Sequence, residues 1–494
     1  MMKKKFLIVG VVILILVGAI SMSLEFGYKR PQTHRKVTPE EFSREYPVQV
    51  LDDDIEFMMQ TLEAVHPDLY YYTPRDSILT AKVQLEHSLS KPMTRVEFYP
   101  YLAKFVALFG DGHTTAVFPW EEWEAYTEQD NLVFPYDVIK TDAGVTIKNI
   151  YQPDSPLQSG DVLLSINHAS VDSLFSIFIR EISGEKMSFR TSVALRAFRR
   201  NLWLHGIRTP FHVKWKSHQN GKVMEQTITG IPYQEILQRR KEKGAGTQYY
   251  SFKRLTDDVG YINFRSMVDL SAFKKFLRTT FKDIKQHPIR GLIVDLRENG
   301  GGKTQLGEKL LSYITDKPYR FTARMEWKVS RQLKDYLRGY IPAGLRWLPL
   351  QYLHPMGRKI WTTPEGQMAV WEFEPEAPGR NSLRYKGPVC VLIGPHTFSS
   401  AMLLAGAIGD FHLATLIGQE TGGVPNGFGE LYLFDLPHTR LQVGVSTKRF
   451  VRANGNAEQK GGVQPDMLVT PKPEDIRRGV DTVLEAAKQW VFQQ

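Results

Sequence analysis

VCVLIGPHTFSSAMLLAGAIGDFHLATLIGQETGG, residues 389–423, opens with an uninterrupted apolar run, Val389 to Ile393, that stops at Gly394-Pro395. Ser399 and Ser400 then open an Ala/Leu/Met/Gly-rich segment that ends near Asp410. The pattern predicts a buried strand, a tight loop and a buried helix. Serine therefore stands where a helix begins, beside free backbone N–H groups and the positive end of the helix dipole. Such a serine is ordinarily a cap. Chemistry at this place requires partners from elsewhere in the chain.

Working outward, Gly291–Leu296 (GLIVDL) reads as a second buried strand, and VGYINF followed by DLSAFKKFLRTTFKDIKQ as a strand and an amphipathic helix. These form a β-α-β unit and so part of a parallel or mixed sheet. Asn299-Gly300-Gly301-Gly302 makes a loop at the strand end, where glycine lets backbone amides approach a ligand. Lys303-Thr304 after the glycines looks like the end of a phosphate-binding loop, but that motif needs glycine where Arg297 stands. That arginine argues against nucleotide binding, which measurable ATP binding would revive. Both loops lie at the carboxyl ends of strands, the edge where ligands bind in α/β sheets.

The 494 residues are enough for about three domains. A content of 42% hydrophobic and 12% aromatic residues is that of a globular protein. The net charge of +10 is scattered among acidic residues, which argues for solubility or attraction to an anionic membrane and against a nucleic-acid partner. Cys390 alone permits no internal disulfide and no cysteine-based metal cluster, and it reads as a small core residue. The scattered histidines imply no metal site and no cofactor.

At the N-terminus, Phe6–Leu24 carries no charge and is long enough to cross a bilayer, with a cleaved secretory signal as the alternative. Residues 1–25 are thus an anchor or signal, and the remainder is expected outside the cytoplasm, or secreted if the segment is removed. Residues 40–125 read as a helical domain. Within it, Thr94 and Glu97 form a capping box, and Gly110 ends a helix ahead of the turn Asp111-Gly112-His113-Thr114. Residues 131–233 alternate strand-like runs with turns, and SPLQSGDVLLSIN (155–167) resembles the corresponding segment of PDZ domains, which bind peptide C-termini at a sheet edge. Residues 247–494 form the sheet domain, interrupted at about 318–386 by an aromatic- and arginine-rich insertion of poor periodicity, expected to be a lid or a membrane-facing surface. The fold class is α+β or α/β multidomain: anchor, helical domain, PDZ-like β domain, and a mixed β-sheet domain with flanking helices.

Four segments, DLRENGGG (295–302), TFSSAMLLAGAIGD (397–410), LIGQETGG (416–423) and GVQPD (462–466), occur in the order seen in the C-terminal processing (tail-specific) serine peptidases. GDGHT and the PDZ-like insert strengthen the resemblance. It implies a serine-type endopeptidase acting on polypeptides through an acyl-enzyme, with Ser399 as nucleophile and Ser400 as the neighbouring alternative. The oxyanion donors it implies are the amides of Gly300 or Gly301 and of Ser400. The Ser-Lys branch places its lysine where this chain has Thr421-Gly422-Gly423, so the chain is more similar to the tricorn-like branch. That similarity implies His113 as base and Glu458 as its orienting group, with Lys448 as the other candidate base. Serine needs such a partner to lose its proton near neutral pH. The rival reading is a catalytically silent PDZ-like scaffold that binds chain ends. The sequence does not specify the oligomeric state.

Overall fold

The computed structural model describes residues 37–242, 248–472, 474–475 and 478–494. The apolar run Phe6–Leu24 lies outside them, and among the described residues no helix is long and apolar enough to cross a membrane.

The site is built on a six-stranded sheet ordered Tyr250–Thr256, Val259–Phe264, Gly291–Asp295, Val389–Ile393, Thr415–Gly418, Met467–Leu468. Its first strand is antiparallel to the second, and the remaining pairings are parallel. Because side chains alternate along a strand, each inner strand feeds two cores. Leu292, Val294, Val391 and Ile393 pack with the helices Leu270–Gln286, Thr304–Ile314 and Ser400–Asp410. Ile293, Cys390 and Leu392 face the closing helix Thr482–Gln493 through Val483, Ala487 and Val491. Cys390 is fully buried, and burial pushes its thiol up to about 12.

A second sheet runs Thr115–Ala116, Gln442–Val451, Arg324–Lys328, Met368–Glu372, with Phe428–Asp435 also paired to Gln442–Val451. The N-terminal helices pack on this sheet in one continuous core, in which Leu51, Ile55, Phe98 and Leu102 meet Leu436, Val443 and Val445. Buried Asp54, in the helix Val48–Val65, accepts hydrogen bonds from the backbone amides of His438 and Thr439, each at 2.9 Å. The helical region and the late hairpin therefore share one interior. The predicted capping box is present, with Thr94 N–H donating to Glu97 at 2.9 Å and Glu97 N–H to Thr94 Oγ1 at 3.3 Å. The chain then ends its short 3₁₀ turn at Gly110, whose φ of 74° is the left-handed conformation that glycine adopts without strain.

Tyr136–Thr141, Gly144–Ile150, Val162–Ile166, Phe211–Lys216 and Val223–Ile228 form the main path of the third sheet. Leu132–Val133 pairs with Ile231–Pro232, so the strands where the chain enters and leaves this unit lie side by side. Two helices, Val171–Arg180 and Met187–Leu204, occupy the long interval that distinguishes the unit from a short PDZ domain. The aromatic insertion is no irregular loop: it adds two strands to the second sheet and has its own core of Trp327, Leu333, Tyr336, Leu337, Met356 and Ile360. Its buried face is assembled from short helices and 3₁₀ turns, which is why no single period marks it in the sequence.

Candidate active site

Ser399 lies at the end of the strand Val389–Ile393, immediately before the helix Ser400–Asp410. Its φ of 52° and ψ of −130° are a strained backbone for a residue with a side chain, and its hydroxyl makes no capping hydrogen bond. Freed from capping, Ser399 Oγ sits 3.0 Å from His113 Nε2, across 286 positions of sequence. The neighbouring hydroxyl is engaged elsewhere. Ser400 Oγ donates to Gly302 O at 2.6 Å and lies 3.2 Å from Thr304 Oγ1.

Two strand-end loops are tied together beneath this pair. Buried Asn299 donates its side-chain amide to Phe264 O at 2.9 Å, and its carbonyl accepts Phe398 N–H at 3.1 Å. Thr397 Oγ1 donates to Leu296 O at 2.9 Å and accepts Gly394 N–H at 3.0 Å. Gly301, with φ 99°, lies so close that a Cβ there would stand 2.7 Å from Ser399 Cβ and 2.9 Å from Ser400 N, so only glycine fits. Its amide, however, already donates to Asn299 Oδ1 at 2.8 Å. Of the two expected glycine donors, Gly301 is thus the engaged one: an oxyanion would compete with Asn299 for its N–H. The amides of Gly300 and Ser400 have no hydrogen-bond partner among the described residues. They remain the free donors, Ser400 at the positive helix end.

His113 is held by packing and by its loop. Its ring stacks on Phe398 at 4.7 Å, and Phe398 stacks on Phe189 at 4.2 Å. Phe189 belongs to the inserted helix Met187–Leu204, so the PDZ-like unit reaches the site. Asp111, buried beneath the loop, accepts His113 N–H at 3.0 Å on one oxygen. Its other oxygen receives Thr114 Oγ1 and Ser446 Oγ, both at 2.6 Å, and His66 Nε2 at 3.2 Å. His66 Nδ1 accepts Asp68 N–H at 3.0 Å, which leaves the His66 proton on Nε2 for Asp111. Burial pushes the Asp111 carboxyl up, but the His66 and Ser446 hydrogen bonds and the nearby imidazoles outweigh it and hold it well below the usual range. Burial pushes the His113 imidazole down, against the Asp111 charge and the Phe428 backbone, which favours the neutral form.

Gly112 has no room for a side chain: a Cβ would stand 2.7 Å from Phe398 Cζ and 3.2 Å from Glu185 Oε2. Glu185 borders a cavity of about 410 Å³ that Tyr72, Lys104 and Gly110 also line. Burial and then the Asp111 charge push its carboxyl up to about 8.

Among the described residues, two expected partners make no hydrogen bond or ion pair with His113. Glu458 is exposed on the loop after the second sheet, where its amide donates to Asn456 Oδ1 at 3.1 Å, and no hydrogen bond or ion pair joins it to His113 among the described residues. The turn around Glu458 is rich in Asn, Gln and Lys and largely exposed, and His113 Nδ1 faces the hairpin instead. That nitrogen is buried beside the backbone of Phe428 and Gly429, and a Cβ on Gly429 would lie 3.7 Å from it. Lys448, the other candidate base, is buried in an ion pair with Glu430, its ammonium 5.2 Å from the centre of the Trp327 ring. Asp111 and Phe398 were missed by sequence reasoning although both flank residues it selected. A carboxylate two positions before a candidate histidine was the available signal.

Residues 258–469 match Peptidase family S41. An uncharacterized protein of Chlamydia muridarum (strain MoPn / Nigg) is 24% identical over 233 residues, covering 41% of this chain and 38% of that protein. The chain thus matches about two-fifths of that curated relative's length. Among solved structures, a crystal structure of a CPAF mutant superposes with a TM-score of 0.67 at 18% identity, covering 90% of this chain and 97% of that one. Mature CPAF complexed with lactacystin gives 0.64 at 18% identity, covering 90% and 99%. These likenesses establish a shared fold.

Proposed function

We propose that this chain, whose residues 258–469 carry the S41 peptidase match, is a serine peptidase that cleaves polypeptides by acyl transfer through Ser399. The observation that carries the reading is the 3.0 Å contact between Ser399 Oγ and Nε2 of the buried His113, an imidazole whose neutral form burial favours. A neutral imidazole in that position takes the hydroxyl proton as oxygen attacks a peptide carbonyl. The amides of Gly300 and Ser400 then receive the developing oxyanion. The imidazolium returns its proton to the leaving amine, and water repeats the sequence to release the acyl group. Loss of the positive charge on His113 is favoured by its burial, while Asp111 steadies the charged form. The same chemistry fits a carboxy-terminal processing peptidase, with the PDZ-like unit presenting chain ends to the site through the Phe189–Phe398 contact.

A fluorophosphonate probe tests the reading directly, combined with hydrolysis of an unfolded protein. The expected result is covalent labelling of the native chain, abolished in Ser399→Ala and strongly slowed in His113→Ala, with parallel loss of turnover. Undiminished labelling in Ser399→Ala would move the nucleophile elsewhere. No labelling of the folded native chain would leave the peptide-binding scaffold as the better reading.

A further inference from the structure

The insertion presents a surface that the peptidase reading does not use. Between Arg331 and Trp361 the sequence holds six Lys or Arg and a single acidic residue, Asp335. Its inner face is packed through Leu333, Leu350, Met356 and Ile360, but the connection between its helices turns large apolar side chains outward. Trp347 is 79% exposed, its indole N–H donating only to Gly344 O at 3.0 Å. Tyr352 and Leu353 are exposed nearby in sequence. Arg346 donates to the carbonyls of Ile341 and Gly339, and Arg358 to that of Tyr352. Neutral carbonyls orient these guanidiniums without cancelling their charge.

An exposed tryptophan, flanked by tyrosine and leucine and framed by cations, is the composition that settles at the boundary between headgroups and acyl chains. A protein partner would satisfy the apolar groups equally well, but the one-sided charge selects an anionic surface, and phospholipid headgroups supply one over an extended plane. The uncharged run Phe6–Leu24 agrees with a chain that works next to a bilayer. We propose that residues 342–359 dock on the headgroup layer of an anionic phospholipid bilayer, with Trp347 inserted and Arg346 and Arg358 on the phosphates. The inference is independent of the peptidase chemistry.

The test uses the full chain and a fluorophore that reports polarity. Cys390 is fully buried, so a thiol introduced by Gly344→Cys, where a Cβ meets open space, is labelled selectively. A second label at Gln219→Cys, exposed on the PDZ-like hairpin, serves as reference. The chain is mixed with vesicles of phosphatidylglycerol or of phosphatidylcholine. The expected result is a blue shift and intensity gain at position 344 on phosphatidylglycerol only, with no change at 219. In the pair Arg346→Gln and Arg358→Gln the vesicle concentration giving half the shift should rise roughly tenfold or more, since each cation near an anionic surface contributes about fivefold. Unchanged emission at 344 while the chain sediments with the vesicles would overturn the proposal. Equal shifts on both lipids would also overturn it, by removing charge recognition. A shift that grows with protein concentration in the absence of vesicles would assign the patch to self-association instead.

Discussion

The loop that carries Ser399 and the loop that carries His113 meet at 3.0 Å, yet they are held by opposite means. Ser399 stands in a strained conformation with φ 52°, kept there by the strand before it, the helix after it, and the Asn299 and Thr397 hydrogen bonds below. His113 stands in a loop whose polar groups converge on Asp111, drawn from His66, Thr114 and Ser446 on separate elements. The first loop stores strain and leaves donors free for a reacting oxygen. The second satisfies its groups internally and leaves only the imidazole edge to work. One side of the site is therefore a strained turn clamped between a strand and a helix, the other a hydrogen-bond network centred on one carboxylate, and they should fail differently.

The largest effect is expected from Asp111→Asn. It removes the charge that gathers the donors around the loop and introduces an NH₂ among them, so unfolding free energy should fall by roughly 2–4 kcal/mol in denaturant titrations, because a buried network loses partners it cannot replace. Activity should fall with it through displacement of His113. If Asp111→Asn instead keeps native stability and activity, the two loops are held alike and the contrast disappears.

The pH profile sharpens the same contrast. Burial lowers the His113 pKa from its ordinary value, so the acid limb of kcat/KM should have its midpoint below about 6.5. A midpoint above that would mean that the Asp111 charge dominates over burial. Phe189→Leu tests the packing half of the second loop. The ring stack is worth roughly 0.5–1.5 kcal/mol, so kcat should fall about two- to tenfold with KM little changed. A change confined to KM would assign Phe189 to substrate contact.

A smaller and purely thermodynamic effect is expected at Glu185. Its folded pKa is raised to about 8, above the unfolded carboxylate value, so its contribution is complete below about pH 4.5 and is lost as pH rises towards 8. Glu185→Gln, neutral throughout, should therefore gain stability relative to the native chain as pH is raised across that window. A constant difference between pH 5 and 8 would show that the carboxyl is ionised throughout. The least effect belongs to Glu458→Gln. An exposed side chain with no link to His113 should leave kcat/KM within about twofold.

The sheet that positions Ser399 was legible because each of its elements announces itself locally: Val389–Ile393 is apolar throughout, Gly394-Pro395 breaks it, and Ala- and Leu-rich residues resume at helical spacing. The same holds for the Thr94–Glu97 box and the Gly110 stop that aim His113. What was not legible depends on contacts that spacing does not encode. Asp111 meets Ser446 across 335 positions, and nothing near either residue announces the other. Glu458 illustrates the converse: its position in the chain matched a pattern, but its side chain is exposed, and Gly429 is what packs beside His113 Nδ1. The insertion shows no period in the sequence because its core is assembled from short helices and 3₁₀ turns, although Trp327 and its neighbours are buried.

The interior shared by the first helices and the final hairpin has a consequence for synthesis. His113 leaves the ribosome long before Val443 and Val445, the strand residues that complete its support, so the base has no fixed place until the strand Gln442–Val451 has been made. A partly translated chain would carry neither a seated imidazole nor a poised hydroxyl. On the proposed reading, the ability to cut peptide bonds would arrive only with that late strand, a delay written into connectivity.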